Sequence, residues 1–241
     1  MRPYGEFCPI TRAAELFSER WTPMILRELI CGSTRFGELQ HGLPGIPRSL
    51  LASRLKTLAD AEVIVRLTGD SPRKVRYQLT QRGLELGEVV MALGVWGQKW
   101  FNRQISEDRV DTRLLVWDMR RRVHLDRLPD KRVVVQFDFT GAENQSLWLI
   151  LEKPQPSACD FDPGFEVDIY VKADALEMTK IWMGLSTWKA AMADNKVSFV
   201  GPSHYTSVFT DWFQLNFFSA IPAGFDEKGA LPKKKLVSAD R

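Results

Sequence analysis

The chain has 241 residues, 44% of them hydrophobic and 26% charged, with a formal net charge of +3. This is an ordinary globular composition: no apolar run approaches the ~20 residues of a membrane span, and the first residues lack the apolar core of a secretory signal. The widely spaced Cys8, Cys31 and Cys159 make neither a disulfide framework nor a zinc site, so the expected compartment is a reducing cytoplasm. The charge is unevenly placed. Residues 1–105 carry 15 Lys/Arg against 10 Asp/Glu, whereas residues 134–241 carry 10 against 14. The front of the chain therefore attracts phosphate and the back repels it.

Ala14, Leu16 and Phe17 predict a first helix over residues 10–19. Thr22-Pro23 offers an N-cap and a first-turn proline for a second helix over 23–31, closed by Gly32. Ser33-Thr34 is placed to cap a short helix that ends at Gly42. The next helix, over 47–61, divides by period: Leu51, Leu55 and Leu58 follow one face, and Ser49, Ser53, Lys56 and Asp60 the opposite one, with Arg48 and Arg54 beside them. Alone, that is an amphipathic surface helix. As the third helix of a run that leads into a hairpin, it reads as a recognition helix. Short Ser side chains admit the backbone to base edges, and Arg or Lys reaches phosphate or guanine.

Strands over 63–68 and 74–79 flank a turn at 69–72. In the second strand Val75, Tyr77 and Leu79 face inward while Lys74, Arg76 and Gln78 face outward, which with Arg66 and Arg73 makes a basic wing. Thr80 caps a long helix to about residue 101, on which Leu86, Val90, Leu93, Trp96 and Trp100 fall at near-heptad spacing. A small winged-helix core cannot cover both indoles, so Trp96 and Trp100 are the expected dimer contacts, with burial against the following domain as the alternative.

This front segment resembles the HxlR family of winged helix-turn-helix regulators, related to the MarR type. The resemblance rests on Cys8-Pro9, Trp21-Thr22, Leu26-Arg27-Glu28-Leu29, Arg35-Phe36-Gly37-Glu38-Leu39, the run from Leu51 to Leu58, and Tyr77-Gln78-Leu79-Thr80 with Gly83. It covers about 100 residues and implies operator binding as a homodimer. Two positions depart from the family pattern: Ser18-Glu19-Arg20 precedes the tryptophan, and Glu62 stands where a glycine usually follows the recognition helix. The resemblance also makes Cys8 a possible redox sensor, against the plainer reading of a residue packed near the dimer seam.

In the back half, residues 110–125 read as a connector helix with Leu114, Leu115, Trp117 and Met119 apolar. Its Arg120-Arg121-Arg122 cluster is expected on the solvated surface, with added phosphate contacts as the alternative. Alternating strands over 133–139, 147–151 and 167–171 argue for half-buried antiparallel pairing. Helices over 173–184 and 187–193, a strand over 197–200 and a final helix over 202–218 follow. This order is similar to the sterol-carrier-protein type-two fold, carried by residues 174–184, Lys189-Ala190 and Lys196 through Gly201. The resemblance implies a cavity for apolar ligands, with Trp148, Trp182, Trp188, Phe199, Trp212, Phe213 and Phe217 either lining it or packing a core.

Catalysis has little support. His41, His124 and His204 lie far apart, no His/Glu pair has metal spacing, and Asp160 and Asp162 sit in a Pro-rich loop expected to face solvent. The expectation is an α+β chain with a winged helix over 1–105, a sterol-carrier-like domain over 106–225 and a polar tail over 226–241. Its function would be transcriptional regulation, with DNA, a second copy and a small apolar effector as partners, and neither cofactor nor membrane. The competing readings are a lipid or acyl carrier whose winged helix serves assembly, and a back half that is only a structural dimerisation module.

Overall fold

The computed structural model describes residues 7–68, 75–101 and 105–222. The turn at 69–72, Arg73, Lys74 and the polar tail lie outside these described residues. Helix α1 (Pro9–Phe17) leads into α2 (Thr22–Ile30). Thr22 is the first residue of α2 and not its cap. Trp21 holds the cap position at φ 81°, and Pro23, which needs no N–H partner in the first turn, fits one place further in.

The short α3 (Phe36–His41) is likewise capped differently from the sequence expectation. The Glu38 carboxylate accepts from the amides of Thr34 and Arg35 at 2.8 and 3.0 Å, while the Ser33 hydroxyl turns inward and donates to Glu28 at 3.0 Å. Helix α4 (Arg48–Asp60) buries Leu51, Leu55 and Leu58. Beyond it Glu62 takes φ 58°, the left-handed conformation that favours glycine at a helix end.

Strands β1 (Ile64–Leu67) and β2 (Arg76–Leu79) pair antiparallel, and the Tyr77 amide donates to the Thr34 carbonyl at 2.7 Å, pinning the hairpin to α3's approach. Thr80 caps the long α5 (Gln81–Trp100) by accepting from the Gly83 amide. One hydrophobic core, built from Ile25, Leu26, Leu39, Leu51, Leu55, Leu58 and Val63, holds these elements together.

A second core lies behind α6 (Thr112–Arg121), whose cap Asp111 accepts from the Leu114 amide at 2.9 Å. Its five-stranded sheet runs β5-β4-β3-β6-β7, with β3 (Val133–Thr140), β4 (Gln145–Leu151), β5 (Ser157–Cys159), β6 (Ile169–Asp174) and β7 (Val197–Val200). The pairing expected from alternation is corrected at the centre, where β3 and β6 run parallel. The chain leaves the β3-β4-β5 meander and returns on the far side of β3, and β6 buries Ile169, Val171 and Ala173 on the core face while Tyr170 and Lys172 stay exposed on the other. The three-residue β5 is too short to leave a periodic signal.

Helices α7 (Ala175–Trp182) and α8 (Trp188–Ala193) cover one face of the sheet. The predicted long last helix does not form. A four-residue α9 (Ser203–Thr206) and a 3-10 turn (Phe209–Trp212) give way to extended chain at Phe213, which bridges back to Val123. The break leaves Trp212 and Phe213 packed edge to face on Phe209.

The two cores are tied by a buried ionic joint, and the arginine cluster of α6 is part of it. This corrects the solvated-surface expectation for Arg121 and Arg122. The fully buried Glu28 carboxylate accepts from both terminal nitrogens of Arg121 at 3.1 and 3.2 Å, from Arg27 at 2.8 Å and from Ser33. Asp118 pairs with Arg121 and Arg122, each at 3.2 Å, and accepts from the Trp182 indole at 2.8 Å. Burial works against the charge of Arg121, but Glu28 restores it and leaves its pKa above the ordinary guanidinium value. Contacts from Trp117 to His41 and from Gln98 to the Met183 carbonyl extend the seam.

Removing one partner of a buried pair strands the other without water. Glu28→Ala or Arg121→Ala should each cost about 3–5 kcal/mol in urea denaturation, while the double change to Leu at both positions should cost less than the two together. At Gly42 an added Cβ would collide with the Glu28 carboxylate, so Gly42→Ala should lower stability by about 1–3 kcal/mol although its backbone conformation suits alanine.

Candidate nucleic-acid interface

The exposed edge of α4 presents Ser49, Ser53 and Lys56 to solvent, because the leucines four and three residues apart commit the opposite face to the core. Arg48 opens the helix, its guanidinium 5.3 Å from the centre of the Phe36 ring. An open groove of about 700 Å³ runs beside it, bordered by Arg35, Arg48, Arg66, Tyr77 and Trp117, with Glu38 as the acid in its wall. Arg66 on β1 and Arg76 on β2 are paired across the hairpin with Tyr77 and Leu67 respectively, and both are exposed.

Two expected contacts are modified by their neighbours. The Arg54 guanidinium is held by the Glu19 carboxylate and donates to the Arg20 carbonyl at 3.3 Å, so it braces the link between α1 and α2 and meets a ligand only by letting go of Glu19. Lys56 pairs with Asp60 one turn on at 2.6 Å, but both side chains are largely exposed, and such a pair opens readily. Arg73 and Lys74 lie outside the described residues.

Sequence reasoning missed Arg35 and Trp117. Arg35 lies in a short loop with no period to assign it a face. Trp117 comes from the other core: it stacks on His41 with ring centres 5.2 Å apart and carries Arg120 at 3.9 Å over its ring. Nothing in the local sequence predicts that α6 reaches α3.

The aromatic candidates of the back half separate. Trp148 points to the opposite face of the sheet from the core, since its neighbours Leu147 and Leu149 face inward. Trp212 and Phe213 are buried and, with Trp188 and Phe199, pack around the fully buried Phe209 at ring-centre distances of 5.1–6.4 Å. These four are core packing. Trp182, held by Asp118, instead borders a cavity between the two cores, as does Phe217.

Trp96 is half exposed and meets Phe101 edge to face, and Trp100 is partly buried. Cys8 precedes the first turn of α1, where the backbone amide of Thr11, then that of Ile10, holds its pKa below the ordinary thiol value. Burial pushes Cys31 and Cys159 the other way. Among the described residues no group of three His, Cys, Asp or Glu has a metal-holding arrangement, and no helix is long and apolar enough to cross a membrane.

Residues 16–105 match the HxlR-like helix-turn-helix family. The chain is 41% identical over 95 residues to an uncharacterized HTH-type transcriptional regulator of Mycobacterium bovis, a match covering 39% of this chain and 60% of that protein's length. It is 35% identical over 104 residues to an uncharacterized HTH-type transcriptional regulator of Synechocystis, covering 43% of this chain and 77% of the relative. The solved reduced form of the transcriptional regulator YodB from Bacillus subtilis aligns with 39% of this chain and 94% of its own at 33% identity, with a TM-score of 0.35.

The opposed thiol environments set an order of reactivity. At neutral pH iodoacetamide should alkylate Cys8 ahead of Cys31 and Cys159, and the rise in rate with pH should come earliest for Cys8, because a lowered pKa populates the thiolate at lower pH. Peptide mass spectrometry over a pH series reads this directly, and equal or faster labelling of Cys31 would contradict it.

Proposed function

Because this chain belongs to the HxlR-like helix-turn-helix family, we propose that it is a DNA-binding transcriptional regulator that acts as a homodimer and responds to a small effector. Its relatives are transcriptional regulators rather than enzymes. The observation that carries the DNA reading is the exposed Ser49, Ser53, Lys56 edge of α4, set beside a groove bordered by Arg35, Arg48 and Arg66. The helix edge enters the major groove, where Ser49 and Ser53 allow close approach and Arg48 reads or clamps at the helix start. Arg66 and Arg76 contact the backbone, and Arg73 and Lys74 are expected from the sequence to join them. Arg54 contributes only after releasing Glu19.

The dimer runs through the outer face of α5, where Val89, Leu93 and Trp96 are about half exposed along one stripe, with Phe101 beyond and Ile10 on α1 also exposed. An apolar stripe of this kind on a regulator of this family fits a second copy of itself. Cys8, just ahead of α1, is placed to report oxidants to that seam. The back half is a sterol-carrier-like unit; its support is the strand order around a parallel central pair with two helices on one face.

Two measurements test the reading. In fluorescence anisotropy against promoter DNA at two salt concentrations, Arg48→Ala and Arg66→Ala should each weaken binding and reduce the salt slope by about 1, whereas Arg54→Ala should change the slope less. Wild-type slopes in both of the first two variants would remove the interface from this face. In light scattering, Leu93→Ser with Trp96→Ser should shift the protein toward monomer and weaken DNA binding with it. An unchanged dimer would place the seam elsewhere.

A further inference from the structure

The cavity bordered by Trp182 belongs to neither core. It occupies about 270 Å³ between α2, α5, α6, α7 and the chain at residues 216–218. Met91 of α5, Leu114 and Leu115 of α6, Met183 and Phe218 give it an apolar lining. A cavity of roughly 150 Å³ accepts benzene, so this one has room for a two-ring compound or a medium acyl chain. One end is different. There Glu28 and Asp118 are already committed to the buried joint with Arg121 and Arg122.

Arg27 and Arg109 join the two joint arginines there, against Glu28, Asp118 and Asp111 in the lining and Asp108 beside Arg109, so the charges balance. Arg109 stands at the border of the cavity with its side chain 80% exposed, 3.6 Å from Asp108, and a pair so exposed opens readily to let the guanidinium take a bound anion. An apolar chamber with an exchangeable cation at its border suits a ligand with an apolar body and one negative charge.

We propose that this cavity between the two cores binds a small amphipathic monoanion, an aryl or medium-chain carboxylate, and that its occupancy regulates DNA binding. The regulatory half rests on the DNA-binding reading above. The ligand touches α2 and α5 on one side and α6 and α7 on the other, so it binds the apposed arrangement and favours it over any separated one. The same apposition sets Trp117 of α6 against His41 and beside Arg48 and Arg66 in the groove. Whatever holds α6 in place therefore also shapes the DNA-facing groove, at a distance from it.

The test uses the full-length protein, 2-naphthoate as the anionic probe, octanoate as the acyl probe and 2-naphthylmethanol as a neutral match. Calorimetry should show saturable binding of at least one carboxylate, with the neutral probe at least fivefold weaker than 2-naphthoate. Leu114→Trp and Met91→Trp, which fill the chamber from α6 and from α5, should each weaken carboxylate binding at least tenfold. Arg109→Glu, an exposed change that leaves the fold alone, should weaken the carboxylates at least fivefold and leave the neutral probe unaffected. No binding by either carboxylate, or undiminished binding in both filled variants, would overturn the site; equal binding of the neutral probe would overturn the anion class. Saturating carboxylate should also move the DNA dissociation constant at least threefold in wild type and not in Leu114→Trp. A bound carboxylate with DNA affinity unmoved would overturn the regulatory half. If no promoter DNA binds at all while the carboxylate does, the DNA reading fails and the cavity stands.

Discussion

The Glu28 carboxylate is the point at which the two halves of this molecule become one. It is fully buried, and its acceptor sites are filled from three directions: Arg27 from its own helix, Ser33 from the turn after it, and Arg121 from the other core. Two guanidinium groups and a hydroxyl satisfy its oxygens inside the fold, where no water reaches them. The net stability of such a pair is modest, since desolvation offsets most of the attraction. Its larger effect is geometric. Two parallel N–H···O bonds fix the angle between α2 and α6 in a way that apolar packing alone would leave loose.

From that joint the positions of more distant groups follow. With α6 held against α2, Trp117 reaches His41 at the end of α3, and α3 in turn approaches the hairpin through the Thr34 carbonyl. The groove beside α4 therefore has a wall supplied by the second core. A winged helix alone would present the arginines of that groove without the indole. The cavity lies along the same seam, lined by Met91 of α5 and Leu114 of α6 together with Met183 and Phe218.

The second core solves a different problem. Its region is rich in aromatic rings, and the fold gathers Phe137, Trp188, Phe199, Trp212 and Phe213 around Phe209, in edge or tilted contacts that suit the ring quadrupoles. The last predicted helix stops within that cluster, at the 3-10 turn Phe209–Trp212, and the chain is extended from Phe213.

Much of the front half was legible in the residues. The leucine period of α4, the alternation of β2 and the Thr80 cap each encode local geometry in adjacent positions, so helix, strand and cap are read without knowing what packs against them. The exposed serine edge follows from the same period. What the local pattern could not supply were contacts between residues distant in the chain. Arg54 looked like a free cation until Glu19 was brought beside it, and Arg121 looked like a solvated surface charge until α2 delivered Glu28, 93 residues away in sequence. The parallel pairing of β3 with β6 was equally hidden, since alternation states which face a residue takes and not which strand lies next to it. The sequence by itself determined the elements of the front half and the faces they bury, because those depend on side-chain period. Only the tertiary structure decided which charges are spent inside the molecule and which remain at its surface, because that depends on which partner arrives from elsewhere in the chain.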